Sequence, residues 1–291
     1  MSAALPITVI VLTRDEEANL PACLDSVAGW VQRIVVVDSG SVDRTCELAR
    51  AGGAEVLEHP FESHTAQWRW ALDQVAGSAD WVLGLDADQS VTPALRTSLT
   101  TLFQARDGRL EEHHGFFVNR RQIFRGRWIR HGGYYPKYLL KLFRARAVRL
   151  DPADLMDHHF HVHGPTARLK GDLIEQNRKE DDLSFWLQKH IRYAELLARE
   201  EMLRGQGAPA GVRPDWFGSP DQRVVWMKQR WYRLPRYWRA AGYFLYRYVL
   251  RLGFLDGREG FVFHSLQAFW LRLVVDAQLD QLEAGPEAPT V

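Results

Sequence analysis

The chain has 291 residues, 46% hydrophobic and 25% charged. That is enough to bury a sizeable core as one large domain or a domain with an appendage, and it excludes disorder except at the ends. The 37 Lys and Arg nearly cancel the 36 Asp and Glu for a net charge of +1, so no global field draws the molecule to nucleic acid or anionic lipid, and any electrostatic targeting must come from local patches.

In chain order, the first half alternates short β-branched runs with amphipathic helical patterns, as in a parallel sheet covered on both faces. Ile7 to Thr13 reads as a buried strand, followed by Leu20, Cys23, Leu24 and Val27 at helical spacing. Ile34 to Asp38 is the second strand, and Ser41 or Asp43 is placed to cap the helix containing Leu48 and Ala49. Ala54 to His59 is a weaker third strand, Trp68, Ala71, Leu72 and Val75 form another helical face, and Trp81 to Leu85 runs into Asp86-Ala87-Asp88. This is a compact nucleotide-binding unit over residues 1–91.

From Gly115 the texture changes to the strand-like pieces Phe116 to Phe124 and Tyr138 to Phe143, separated by a Gly- and aromatic-rich stretch, so residues 92–204 read as the acceptor half of a mixed sheet. Leu183, Trp186, Leu187, His190, Ile191, Ala194 and Leu197 mark a long amphipathic helix, and the Gly/Pro-rich connector from Gly205 leads to a helical region over 205–291. The apolar run Tyr237 to Leu255 is broken by Arg239, Arg247 and Arg251, so it does not read as a membrane span. Met1 to Pro6 lacks the basic flank of a signal peptide, and Cys23 and Cys46 read as buried thiols in a reducing compartment. These features predict a cytoplasmic protein, at most peripheral to the inner face of the membrane.

Chemistry concentrates at three strand ends: Thr13-Arg14-Asp15-Glu16-Glu17, Asp38-Ser39-Gly40-Ser41 and Asp86-Ala87-Asp88. The carboxyl ends of parallel strands face the crevice where α/β proteins bind ligands. Period-two geometry would turn Asp86 and Asp88 to one side, where two carboxylates and the phosphates of a nucleotide suit Mg2+ or Mn2+. Asp38 could accept from a nucleobase N–H or simply order a turn, while Ser39 and Gly40 allow close backbone approach.

The stretches Val9 to Leu20, Val35 to Thr45 and Trp81 to Asp88 together resemble glycosyltransferase family 2, the inverting enzymes of GT-A fold. Looser similarity through Gln67-Trp68-Arg69, Leu140 to Arg144 and Gly253 to Gly257 resembles bacterial lipopolysaccharide-core and exopolysaccharide transferases. The resemblance implies an α/β GT-A fold, a mainly parallel sheet flanked by helices with a C-terminal helical appendage. It also implies a nucleotide-sugar donor, a uridine nucleotide by preference, and a saccharide or lipid-linked acceptor. Carried over, it implies nucleotide contacts at Thr13, Glu16, Asp38, Ser39 and Asp86, and metal contacts at Asp86 and Asp88. Asp15 stands where the family usually has Asn, and Gln89 where an acidic residue follows the metal pair.

Inverting transfer needs a base at the attacking hydroxyl. Asp157 is the choice, because Met156 to Gly164 resembles the loop in which relatives carry it, with Asp154 as runner-up. His158, His159, His161 and His163 are joined by no cysteine or glutamate and read as polar strand positions or acceptor contacts rather than a zinc site. A basic stretch including Arg120, Arg121, Lys137, Lys141 and Arg144 is suited either to a leaving diphosphate and an anionic acceptor or to a solvated face. Over 223–251 aromatic and cationic residues interleave, which favours peripheral membrane contact over subunit packing. No nucleic-acid partner is expected, for lack of a reading motif. The rival readings are an inactive binding scaffold on the same sheet and a nucleotidyltransferase, although Thr13 to Leu20 lacks that enzyme's Gly-rich phosphate loop.

Overall fold

The computed structural model describes residues 4–105, 107–150, 160–205, 215–217, 226–227 and 229–284. They fall into two compact units, Met1–Asp182 and Leu183–Val291.

The first unit is built on a mixed sheet. Its strands are β1 (Leu5–Thr13), β2 (Val31–Asp38), β3 (Glu55–Glu58), β4 (Trp81–Asp86), β5 (Gln89–Val91), β6 (Gly115–Phe124), β7 (Arg127–Ile129), β8 (Tyr138–Arg144) and β11 (Thr166–Glu175), and a separate ribbon pairs β9 (Val148–Leu150) with β10 (Phe160–Val162). The order is β3-β2-β1-β4-β8-β6-β11-β5, with β7 against β6. The β3-β2-β1-β4 block is parallel, and β8 enters antiparallel between β4 and β6.

Alternation along the central strands explains the two cores. Val9, Val11, Val36, Leu83 and Leu85 pack on one face with helices Leu20–Val27 and Pro93–Gln104. Their neighbours Ile10, Val35, Val37 and Val82 pack on the other, with Trp68, Ala71 and Val75 of the helix His64–Val75. Strands covered on both faces are apolar at successive positions, which is why they read as continuous β-branched runs. Gly84 of β4 leaves room for aromatic edges, since a Cβ there would lie 3.0 Å from Phe160 and 3.2 Å from Trp68.

Two details depart from expectation. Arg44 holds the N-cap position of the helix Thr45–Ala51 without a side-chain bond, and the capping bond comes from Asp43 one residue earlier, whose Oδ1 accepts from the Thr45 N–H at 2.9 Å, whereas Ser41 makes none. Ser41 Oγ instead accepts from the Asp15 N–H at 2.8 Å and Asp43 Oδ2 from the Glu17 N–H at 3.1 Å, tying the loops after β1 and β2 together. The helix Leu183–Gly205, read from sequence as the end of the acceptor half at 204, belongs to the second unit, where Ala194 and Ala198 pack on Leu271, Val275 and Leu279. Amphipathic spacing shows that a face is buried but not against what.

Within the second unit, Arg239 is buried against Asp276 and Glu201, donating to Glu201 Oε1 at 2.6 Å. No helix among the described residues is long and apolar enough to cross a membrane.

Candidate active site

The ends of β1 and β2 meet in register at Thr13 and Asp38. Asp38 is buried, and all four of its lone-pair positions are used. Thr13 Oγ1 donates to Oδ1 at 2.9 Å and the Ser41 hydroxyl to the same oxygen, while the Gly40 and Ser41 N–H groups donate to Oδ2 at 3.0 and 2.7 Å. Burial pushes the Asp38 carboxyl up, but the bonds from Ser41 and Thr13 more than offset this and hold it below the usual carboxylate range. Asp38 therefore shapes the loop, and it could accept from a base only by releasing one of these donors. Ser39 Oγ accepts from Gln67 Nε2 at 3.0 Å; Gln67 Oε1 meets His59 Nδ1 at 2.8 Å, and the His59 ring stacks on Trp70.

After β1 the chain turns through Asp15, whose φ of 53° is left-handed. Asp and Asn tolerate that conformation better than most residues, so Asp in place of the family's Asn keeps the turn. Glu16 Oε1 accepts from Lys179 Nζ at 2.6 Å and Oε2 from Asn19 Nδ2 at 2.8 Å; the same ammonium donates to the Asp15 carbonyl at 2.9 Å. Lys179 thus brings a cation to the first strand end from the 3-10 turn Arg178–Asp181, which docks there as Arg178 N–H donates to Asn19 Oδ1 at 2.8 Å.

Strand β4 ends at Asp86, and Ala87 and Asp88 form the turn into β5. The turn, not strand alternation, therefore determines where the two carboxylates stand. Both are close enough to the buried Cys23 to add to the upward push that burial gives its thiol. Gln89 braces the turn: its Oε1 accepts from the Asp86 N–H at 3.2 Å, and its Nε2 donates to Glu175 Oε2 at 2.8 Å. Glu175 is held in turn by Arg120 at 2.7 Å. An amide does here what an acidic side chain could not, since it both accepts and donates.

Lys141 of β8 donates to Asp86 Oδ2 at 2.9 Å, with its side chain 4% exposed and that of Asp86 40%. No group of three His, Cys, Asp or Glu suited to a metal occurs among the described residues. The donor set at β4 therefore fits a hard divalent cation only when phosphate oxygens share it, the usual mode for Mg2+. Asp86 and Asp88 would hold such an ion, with Lys141 already neutralising part of the charge.

Asp157 and Asp154, together with His158 and His159, lie outside the described residues. The segment that carries them joins β9 to β10, whose ends pair Leu150 with Phe160. Phe160 packs on Trp68 and Phe143 and against Gly84 of β4. Within the basic stretch, Arg120 and Arg121 are committed to Glu175 and Asp172, and Arg144 to Asp80. Gln67 and Lys141 stand in stretches that sequence reading singled out, without their present partners. Lys179 carries no local signal, because its partners are far away in the chain.

Residues 8–161 match the family model described as Glycosyl transferase family 2. The lipopolysaccharide core biosynthesis glycosyltransferase LpsC of Rhizobium meliloti is 31% identical over 154 residues, 51% of this chain and 53% of its own. An uncharacterized glycosyltransferase of Rickettsia typhi is 29% identical over 101 residues, 35% of this chain and 34% of its own. The chain thus spans between a third and about half of the length of these curated relatives. A crystal structure of glucosyl-3-phosphoglycerate synthase from Mycobacterium tuberculosis with Mn2+, uridine diphosphate and glucosyl-3-phosphoglycerate is 18% identical, covering 71% of this chain and 82% of its own at a TM-score of 0.42.

Proposed function

Because the chain belongs to glycosyl transferase family 2, we propose that it transfers a sugar from a UDP-sugar to a saccharide or lipid-linked acceptor, with inversion. The setting would be cell-surface polysaccharide or lipopolysaccharide biosynthesis, at the inner face of the cytoplasmic membrane. The observation that carries this reading is the clustering of Thr13, Asp38 and the Asp86–Asp88 turn at the ends of three adjacent parallel strands. The likeness in part of the chain to LpsC supports the lipopolysaccharide setting.

In this mechanism the nucleoside lies over the β1 and β2 ends. Thr13 and Asp38 fix Ser39 and Gly40 at its rim, and Glu16 is kept in place by Lys179. Asp86 and Asp88 would hold a Mg2+ or Mn2+, which when bound would supply positive charge where the leaving diphosphate becomes negative. Lys141 adds a fixed cation beside it. Asp157, with Asp154 as the alternative, takes the proton of the attacking hydroxyl. The anchoring of β10 on β4 through Phe160 and Gly84 supports a base carried on that segment.

Asp88→Ala tests the assignment. The variant should stay folded and lose both Mn2+-dependent UDP binding in calorimetry and turnover of a UDP-sugar panel, since a metal at developing charge contributes several kcal/mol. Unchanged turnover by a folded variant would sink the metal site. Mn2+-dependent UDP binding by the intact protein without transfer or hydrolysis of any donor would favour the inactive scaffold.

A further inference from the structure

In the second unit the helix Trp238–Leu245 continues through the π-helical turn Tyr246–Leu250. A second run starts at Gly257–His264 and continues through Ser265–Trp270 into Leu271–Ala284. The two runs fold back on each other across residues 251–256. The tip is tightly built. A Cβ on Gly253 would come 2.5 Å from His264 Nε2, one on Gly260 2.5 Å from Asp256 Cβ, and Leu252 is held at a left-handed φ of 60°.

Apolar side chains nevertheless point outward around this rigid turn. Leu250 is 73% exposed and Leu255 50%, with Leu252 and Phe254 similarly open and Val249 and Phe261 beside them. Singly exposed apolar residues are ordinary, but a contiguous group marks an interaction surface.

Charge narrows the choice of partner. From Arg223 to Leu255 the sequence has eight Arg and Lys and no Asp or Glu. Arg236 is taken up by Asp280 and Glu283, and Arg239 by Asp276 and Glu201, so these are committed within the unit. The tip itself carries two residues of each sign: Arg251 and Arg258 are exposed, whereas Asp256 is buried and Glu259 half-buried, so the charge it turns outward is mainly that of the arginines. An apolar patch rimmed by arginine suits an anionic bilayer, where aliphatic side chains enter the acyl boundary and guanidinium groups stay with the headgroups. A second copy of this chain suits it less, because a two-fold contact would set the arginine rim against itself.

We propose that the helical hairpin tip, residues 249–261, is a lipid-docking surface for anionic bilayers. This shifts the contact expected over 223–251 toward the tip, because Tyr237, like Arg236 and Arg239, is bonded to the helix Leu271–Ala284, its N–H donating to Asp276 Oδ2 at 2.6 Å. The proposal adds a lipid partner to the transferase reading but rests on none of its chemistry, so vesicle binding and sugar transfer fail separately.

The test is co-sedimentation of the full chain with phosphatidylglycerol–phosphatidylcholine vesicles and with phosphatidylcholine alone. The intact protein should bind the anionic vesicles more tightly. Leu250→Gln, Leu252→Asn and Leu255→Gln together should weaken binding to both by roughly tenfold or more, with an unchanged unfolding midpoint. Arg251→Gln with Arg258→Gln should remove only the anionic preference. If the aliphatic variant does not fold, Leu255→Cys carrying an environment-sensitive dye must shift to the blue on anionic vesicles. No sedimentation of intact protein, undiminished sedimentation of the folded aliphatic variant, or no dye shift overturns the proposal. So does a concentration-dependent dimer lost in that variant without any vesicle binding.

Discussion

Breaking the Lys141–Asp86 pair should have unequal consequences depending on which partner is removed. Lys141 is 4% exposed and Asp86 40%, so Asp86→Ala leaves an ammonium in the interior without its counter-charge. An uncompensated buried charge costs about 3–5 kcal/mol. Lys141→Met fills the space of the lysine stem and leaves a carboxylate that water can still reach, at a cost of about 1 kcal/mol or less. The double variant should therefore be more stable than Asp86→Ala alone. At about 2–4 °C per kcal/mol for a unit of this size, Asp86→Ala should lower the melting transition of the first unit by roughly 6–20 °C and Lys141→Met by less than about 4 °C. Scanning calorimetry of the three variants measures this directly, and equal losses or a larger loss for Lys141→Met would refute the reasoning. If Lys141 competes with a metal for Asp86, Lys141→Met should also bind Mn2+ more tightly without nucleotide. The asymmetry makes Asp88, rather than Asp86, the cleaner position for probing metal dependence.

Asp157→Asn should keep UDP affinity while slowing single-turnover transfer by roughly 100-fold or more; that signature in Asp154→Asn instead would transfer the role. In the second unit, burial first and Arg247 next push the pKa of His264 from 6.5 down to about 4, against Asp256. A depressed histidine favours the folded state most when neutral, so this contribution is whole above about pH 6.5 and drains away as pH falls toward 4, by about 2–3 kcal/mol between pH 7 and 4.5. Urea unfolding followed in that range should show a slope that His264→Asn flattens, and an unaltered slope would refute the assignment.

Much of the first unit was legible because its signals are local. Val35, Val36 and Val37 form one apolar run, and successive residues do go to opposite cores. The pair Asp86 and Asp88 was legible as a motif, although a turn rather than strand alternation sets its geometry. The fully bonded state of Asp38 was not legible, since it depends on the conformation of the Ser39–Ser41 loop. Lys141 and Lys179 act 55 and 163 residues away from their partners, a pairing that only sheet order and the docking of the 3-10 turn create. The arginines and aromatics of the C-terminal region were visible as composition, but not which of them Asp276 and Asp280 would claim.

The placement of β5 bears on how such enzymes can be recombined. It follows β4 directly in the chain, yet it lies at the far end of the strand order, paired with β11, and the Gln89–Glu175–Arg120 chain of contacts crosses that seam behind the carboxylate turn. A chimera that exchanges only residues 1–91 would therefore import the strand-end loops with a turn whose brace belongs to another protein. Exchanges running through Glu175 would keep the turn and its support together, so the piece that can be exchanged intact is the whole sheet rather than its parallel half.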